Sequence, residues 1–113
     1  MALQTMQSAG RVLIMRLSSA LDGAGPPPEQ IAQFAATSHA RFVVLDTTKC
    51  TYADSEGLRW LQRLRSLPLA YRIIARPGQK VSRALKLVHL DSNVFDSARS
   101  AMRTPWARAT LAG

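Results

Sequence analysis

Phe42-Val43-Val44-Leu45 is an apolar run without alternation, set between Arg41 and Asp46. A half-buried strand alternates apolar with polar residues, so a run of this kind suits a strand covered on both faces. Such a strand needs neighbours in its sheet and helices packed on it. The flanking segments match that need. Residues 11–17 (RVLIMRL) and 71–75 (YRIIA) read as further strands. Residues 29–39 place Ile31, Phe34 and Ala35 at helical spacing behind Pro28, where a first turn tolerates proline. From Ser55 onward Leu58, Trp60, Leu61, Leu64 and Leu67 form the apolar face of a second helix, with Pro68 as its stop. Val81, Ala84, Leu85 and Val88 do the same for a third, with Lys80, Arg83 and Lys86 on its wet side. Val94-Phe95 reads as a very short strand, and Asp96 as the N-cap of a last helix running to about Arg103. The glycines and prolines of residues 18–28 predict irregular chain.

Strands alternating with helices at short spacing imply an α/β fold, a mixed four- to five-stranded sheet with about four helices. We expect an N-terminal segment at residues 1–10, one domain over 11–103 and a frayed tail over 104–113. The single cysteine, Cys50, allows no intramolecular disulfide and fits a reducing compartment. Residues 1–11 (MALQTMQSAGR) lack the basic and apolar regions of a secretory signal, and no run approaches the length of a membrane span. A cytoplasmic protein without membrane insertion is the expectation.

The loop leaving the carboxyl end of a strand in such a sheet is where ligands and partners are met. Here that loop is Asp54-Ser55-Glu56-Gly57, leading straight into the second helix. The corner can serve as an active site, as a phosphate-handling site or only as a cap. Asp54 and Ser55 are both good N-cap residues. Gly57 asks for more than a cap, because glycine weakens a helix interior by about 1 kcal/mol relative to alanine. In a first turn it lets another backbone come close. A serine nucleophile needs a base in reach. The two histidines, His39 and His89, sit at a helix end and beside apolar Val88 and Leu90, and both read as structural or merely exposed. No G-x-S-x-G elbow, metal-ligand set or glycine-rich phosphate loop is present, so neither catalysis nor a cofactor is expected.

Net charge is +8, from 15 Lys+Arg against 7 Asp+Glu. The excess sits in the second half: Arg59, Arg63, Arg65, Arg72, Arg76, Lys80, Arg83 and Lys86 follow Gly57 with no acidic residue before Leu90. Few aromatics interleave with these cations, which argues for a solvated face and against nucleic acid as partner. We expect the face to serve solubility and long-range attraction to an acidic protein surface.

The stretch LDTTKCTYADSEGL, residues 45–58, resembles without gaps the segment of STAS domains that reads roughly L-D-L-S-G-V-x-F-I-D-S-S-G-L. Upstream, Leu17-Ser18-Ser19-Ala20-Leu21-Asp22 is similar to the family's L-S-G-x-L-D. Downstream, residues 73–102 resemble its strand, turn, helix, short Phe strand and last helix beginning Asp-Ser. The likeness covers about residues 11–103. Lys49 and Ser19 stand where the family commonly has glycine, and Glu56 where a second Ser or Thr often follows. The resemblance implies a bacterial anti-sigma factor antagonist that acts by partner switching. Ser55 would be the residue phosphorylated by a serine-kinase anti-sigma factor. The unphosphorylated antagonist would bind that kinase, the phosphorylated form would let go, and a phosphatase would reset it. Asp22, Gly23, Asp54, Ser55, Glu56, Gly57, Leu58 and Arg59 would form the partner-binding surface. The alternative on the same fold is the small STAS subunit of a bacterial lipid-transport ABC complex, bound to its ATPase subunit.

Overall fold

The computed structural model describes residues 2–67, 70–90 and 93–101. The elements are β1 (Ala2–Ala9), β2 (Val12–Leu21), α1 (Pro28–Thr37), β3 (Phe42–Ala53), α2 (Ser55–Arg65), β4 (Ala70–Ile74), α3 (Lys80–Leu87), β5 (Val94–Phe95) and α4 (Ala98–Ala101). The strands form one sheet in the order β1-β2-β3-β4-β5, with β1 antiparallel to β2 and the other pairs parallel. The expected α/β architecture and the central place of Phe42-Val43-Val44-Leu45 are both present.

Burial follows the pleat of β3. Val43 and Leu45 point into the main core with Leu13, Met15 and Ile73, where Ile31, Trp60, Leu61, Leu64, Val81 and Leu85 cover them from α1, α2 and α3. Val44 points the other way, into a smaller cluster with Val12, Ile74 and Ala101 of α4. Val43, Val44 and Leu45 are all at most 1% exposed, so a strand without alternation is here a strand with two dry faces.

Several elements differ from the sequence reading. No element was assigned to residues 1–10, yet Ala2–Ala9 pairs with β2 around Gly10, whose φ of +60° suits a tight hairpin. Its weak apolar pattern and the bulge between Leu3 and Thr5 hide it in the sequence. Ser18, Ser19, Ala20 and Leu21 were read as irregular but continue β2, and β3 runs on to Ala53 beside them. Their ladder shifts register twice, between Arg16 and Ser18 and between Ser19 and Ala20, and such bulges break the periodicity on which strand reading depends. Ser19 takes a left-handed φ of +66°, the conformation that favours glycine. The last helix is capped by Ser97, whose hydroxyl accepts from the Ser100 N–H at 3.1 Å, while Asp96 accepts from the Ser100 hydroxyl at 3.2 Å. Ser97 lies one residue closer to α4, where its oxygen reaches the first-turn donor. Pro68, the end of the last helix at 103 and the tail at 104–113 lie outside the described residues.

β4 pairs with β3 only as far as Asp46 opposite Ile74, which leaves the carbonyls of β3 beyond that point without a strand partner on this side. Gln79 supplies one. Its amide donates to the Thr47 carbonyl at 2.9 Å and the Cys50 carbonyl at 2.7 Å, and its oxygen accepts from the Arg76 N–H at 2.9 Å. Thr47, fully buried, donates its hydroxyl to the Ile74 carbonyl at 2.8 Å. On the opposite face Arg72 lies 4.6 Å over the Phe95 ring and donates to the Ala101 carbonyl at 2.7 Å, so this cation holds α4 and β5 on the sheet.

Two substitutions test these contacts by urea unfolding. Gln79→Ala leaves the Thr47 and Cys50 carbonyls without this donor and is expected to lower stability by about 2 kcal/mol. Ser19→Gly relieves the left-handed backbone and is expected to raise stability by about 1 kcal/mol. Loss of stability in Ser19→Gly contradicts the assigned conformation.

Candidate partner-binding corner

β3 ends in Asp54, whose extended backbone (φ −107°, ψ −179°) makes it the N-cap of α2. Its carboxylate accepts from the Gly57 N–H at 2.9 Å, and its carbonyl takes the Leu58 N–H at 3.0 Å. A carboxylate at this position satisfies an otherwise unpaired donor and meets the positive end of the helix dipole. Either Asp54 or Ser55 has the chemistry to cap; Asp54 does so. Ser55 therefore occupies the first helical position with an exposed hydroxyl that bonds to no described residue.

The corner is held against the end of β2, the loop that follows and the start of α1. A β-carbon on Gly57 would overlap the Leu21 carbonyl and lie 2.8 Å from the Asp22 nitrogen, so only glycine permits this approach of helix to strand end. The Asp54 N–H donates to the same Leu21 carbonyl at 3.1 Å. Further along α2 the Trp60 indole N–H donates to the Pro26 carbonyl at 2.7 Å, and Arg63 pairs with both oxygens of Glu29 at 2.8 and 2.9 Å. The backbone N–H at the helix start and the Arg63 guanidinium hold the Glu29 carboxyl below its ordinary range. Asp22 accepts from the Ala24 N–H at 2.9 Å, which folds the loop back on itself. A β-carbon on Gly23 would sit 3.1 Å from the Glu56 β-carbon, so Gly23 and the first turn of α2 are immediate neighbours.

Asp22, Gly23, Asp54, Ser55, Glu56, Gly57, Leu58 and Arg59 thus share one end of the molecule. Their surroundings differ. Gly23, Ser55, Glu56 and Arg59 are exposed, Asp22, Asp54 and Leu58 are half-buried, and Gly57 is buried, acting as a spacer. Arg59 donates to Glu56 at 2.9 Å along the helix. Tyr52 joins the same end at 48% exposure, an aromatic two residues before Asp54 that the sequence reading passed over because it ended the strand at Leu45.

His39 and His89 lie elsewhere. Both take left-handed φ angles, 56° and 60°, just past the ends of α1 and α3. The following N–H closes each end, Ala40 onto the Ala35 carbonyl at 2.7 Å and Leu90 onto Leu85 at 2.8 Å. These helix ends precede β3 and β5, at the edge of the parallel sheet opposite the corner. Cys50 is buried, and burial pushes its thiol up to about 11, far from a reactive thiolate. A groove of about 420 Å³ lined by Ala75, Pro77, Val94, Phe95, Asp96 and Ser100, among others, includes no corner residue. The corner is an outward surface on which Gly23, Ser55, Glu56 and Arg59 are exposed.

Gly57→Ala separates the two demands on this position. Alanine is the better helix former, yet its methyl group collides with the Leu21 carbonyl. A loss of about 3 kcal/mol or more is expected in urea unfolding, and a gain in stability would show that the close approach is not required.

No family model matches the chain, and no curated protein matches it. Solved structures do. An anti-sigma factor antagonist from Mycobacterium paratuberculosis superimposes with a TM-score of 0.70 at 19% identity, covering 95% of this chain and 92% of that one. The anti-sigma factor antagonist SpoIIAA in its unphosphorylated form gives 0.63 at 17% identity, over 88% and 90%. The Bacillus cell fate determinant SpoIIAA in its phosphorylated form gives 0.58 at 16% identity, over 96% and 99%. The five-stranded mixed sheet with its four described helices is the STAS fold of the anti-sigma factor antagonists.

Proposed function

We propose that this protein is an anti-sigma factor antagonist that works by partner switching at Ser55. The observation that carries the reading is the division of labour at the start of α2. Asp54 takes the capping bond, which leaves the Ser55 hydroxyl exposed and unbonded at the carboxyl end of the central strand. The unmodified corner binds a serine-kinase anti-sigma factor and frees the sigma factor. Phosphorylation of Ser55 releases the kinase, and a phosphatase restores the hydroxyl. Likeness in fold to antagonists solved in both unphosphorylated and phosphorylated forms supports the reading.

The physical chemistry fits a switch in binding that leaves the fold intact. A phosphate on Ser55 adds ~1.5 to 2 negative charges at a helix start, where anions are favoured. In the complex the same phosphate joins Asp54 and Glu56 in a surface that must shed water. Arg59 can neutralise only one of these anions, and burying the charge left unpaired costs on the order of 3 kcal/mol or more. That corresponds to at least ~100-fold in affinity. Tyr52 and the half-buried Leu58 supply apolar contact beside the hydroxyl. Lys80, Arg83 and Lys86 along α3 have no acidic partner among the described residues and steer the approach of an acidic protein surface. Among the described residues no helix is long and apolar enough to cross a membrane. A cytoplasmic setting, where kinase and sigma factor meet, completes the proposal.

Titration calorimetry against the kinase recovered by affinity capture tests it. Ser55→Ala is expected to keep wild-type affinity and to block phosphorylation, whereas Ser55→Asp stays folded and binds at least ~100-fold more weakly. Equal affinity for all three chains would remove Ser55 from the mechanism. Capture of an ATPase subunit of a transporter in place of a kinase would favour the lipid-transport reading.

A further inference from the structure

Arg59 is bound to Glu56 in the unmodified protein, and its position on α2 suits it to a second anion. Ser55 and Arg59 are four residues apart in one helix, Glu56 and Arg59 three apart, so both anionic positions lie within reach of the same guanidinium. We propose that Arg59 is the receiver of the phosphate on Ser55, and that modification exchanges its present partner for the phosphoryl group. The proposal rests on the reading of Ser55 as the modified residue.

Three observations favour the exchange. First, the Glu56–Arg59 pair is exposed, with the two side chains 60% and 70% open to water at a separation of 2.9 Å, and exposed pairs of this kind hold weakly. Second, Glu56 is the only partner of Arg59 among the described residues, so nothing else restrains the guanidinium. Third, the other cation on this side of α2, Arg63, is already held by both oxygens of Glu29. Of the two cations on this side of α2, Arg59 is thus the one left to answer a new charge at Ser55. A phosphate offers three acceptor oxygens and about twice the charge of a carboxylate, and a guanidinium meets it with two parallel bonds.

The exchange changes more than one residue. In the unmodified corner Glu56 and Arg59 neutralise each other, and the Asp54 carboxylate caps the helix beside the hydroxyl. After modification Arg59 turns to the phosphate and Glu56 loses its cation while lying against Gly23. The carboxylates next to the phosphate along the chain are then Asp54 at the end of β3, which caps the helix, and Glu56 from α2. Glu56 therefore acts as a resident competitor that keeps Arg59 beside Ser55 before the phosphate arrives. It becomes an unpaired carboxylate once the phosphate has bound.

The test uses full-length protein with phosphoserine incorporated at position 55 during translation, so it depends on no kinase. Phosphorus NMR follows the second ionisation of the phosphate. In the parent chain it is expected about half a unit below the ~6 of a free phosphoserine, because Arg59 favours the dianion. Arg59→Gln returns it to ~6 or above, and Arg59→Lys gives an intermediate value. Glu56→Gln, which frees Arg59, lowers it further. Identical ionisation in the parent chain and in Arg59→Gln overturns the proposal. If Ser55 is never phosphorylated in the cell, the switching function fails while this result stands, so the two failures are distinguishable.

Discussion

The burial of β3 on both faces is the constraint from which the rest of the structure follows. Val43 and Leu45 require α1, α2 and α3 on one side, Val44 requires cover on the other, and β2 and β4 must satisfy its backbone on either flank. Parallel pairing on both flanks forces each connection to return to the starting edge, which the helices provide. All loops that leave the parallel strands therefore collect at one edge. The corner is one of them.

The corner proposed for recognition is closely attached to its neighbours. The Leu21 carbonyl accepts the Asp54 N–H and lies where any side chain on residue 57 would have to go, so strand end, loop and helix start are fastened together. Trp60 and the Arg63–Glu29 pair extend the same attachment along α2. Rigidity in the free state reduces the ordering cost of association.

Gln79 and Ser19 show how the sheet is carried out to this edge. β3 outruns β4 by several residues, and a side-chain amide stands in for the missing strand. β2 follows β3 through two register shifts, one of them at a serine in a glycine-like conformation. Where the STAS resemblance expected a glycine, Ser19 takes a left-handed angle that favours one.

The sequence by itself determined which segments must be dry and which residues have special local chemistry. The unalternating run at Phe42-Val43-Val44-Leu45, the helical spacing after Ser55, the cap-forming Asp54 and the glycine at 57 were all legible, because burial and backbone preference are written in neighbouring residues. Only the tertiary structure decided the matters that depend on a distant partner. The strand at Ala2–Ala9 exists because β2 offers it an edge, and Ser18 to Leu21 stay extended because β3 runs beside them. Tyr52 becomes a surface aromatic of the corner only once β3 continues that far, and only the structure identifies Leu21 as the backbone that Gly57 lets approach. Of two adjacent capping residues, the choice of Asp54 over Ser55 follows from where the strand ends and the Gly57 N–H points. That is a matter of geometry between segments, and local pattern carries no information about it.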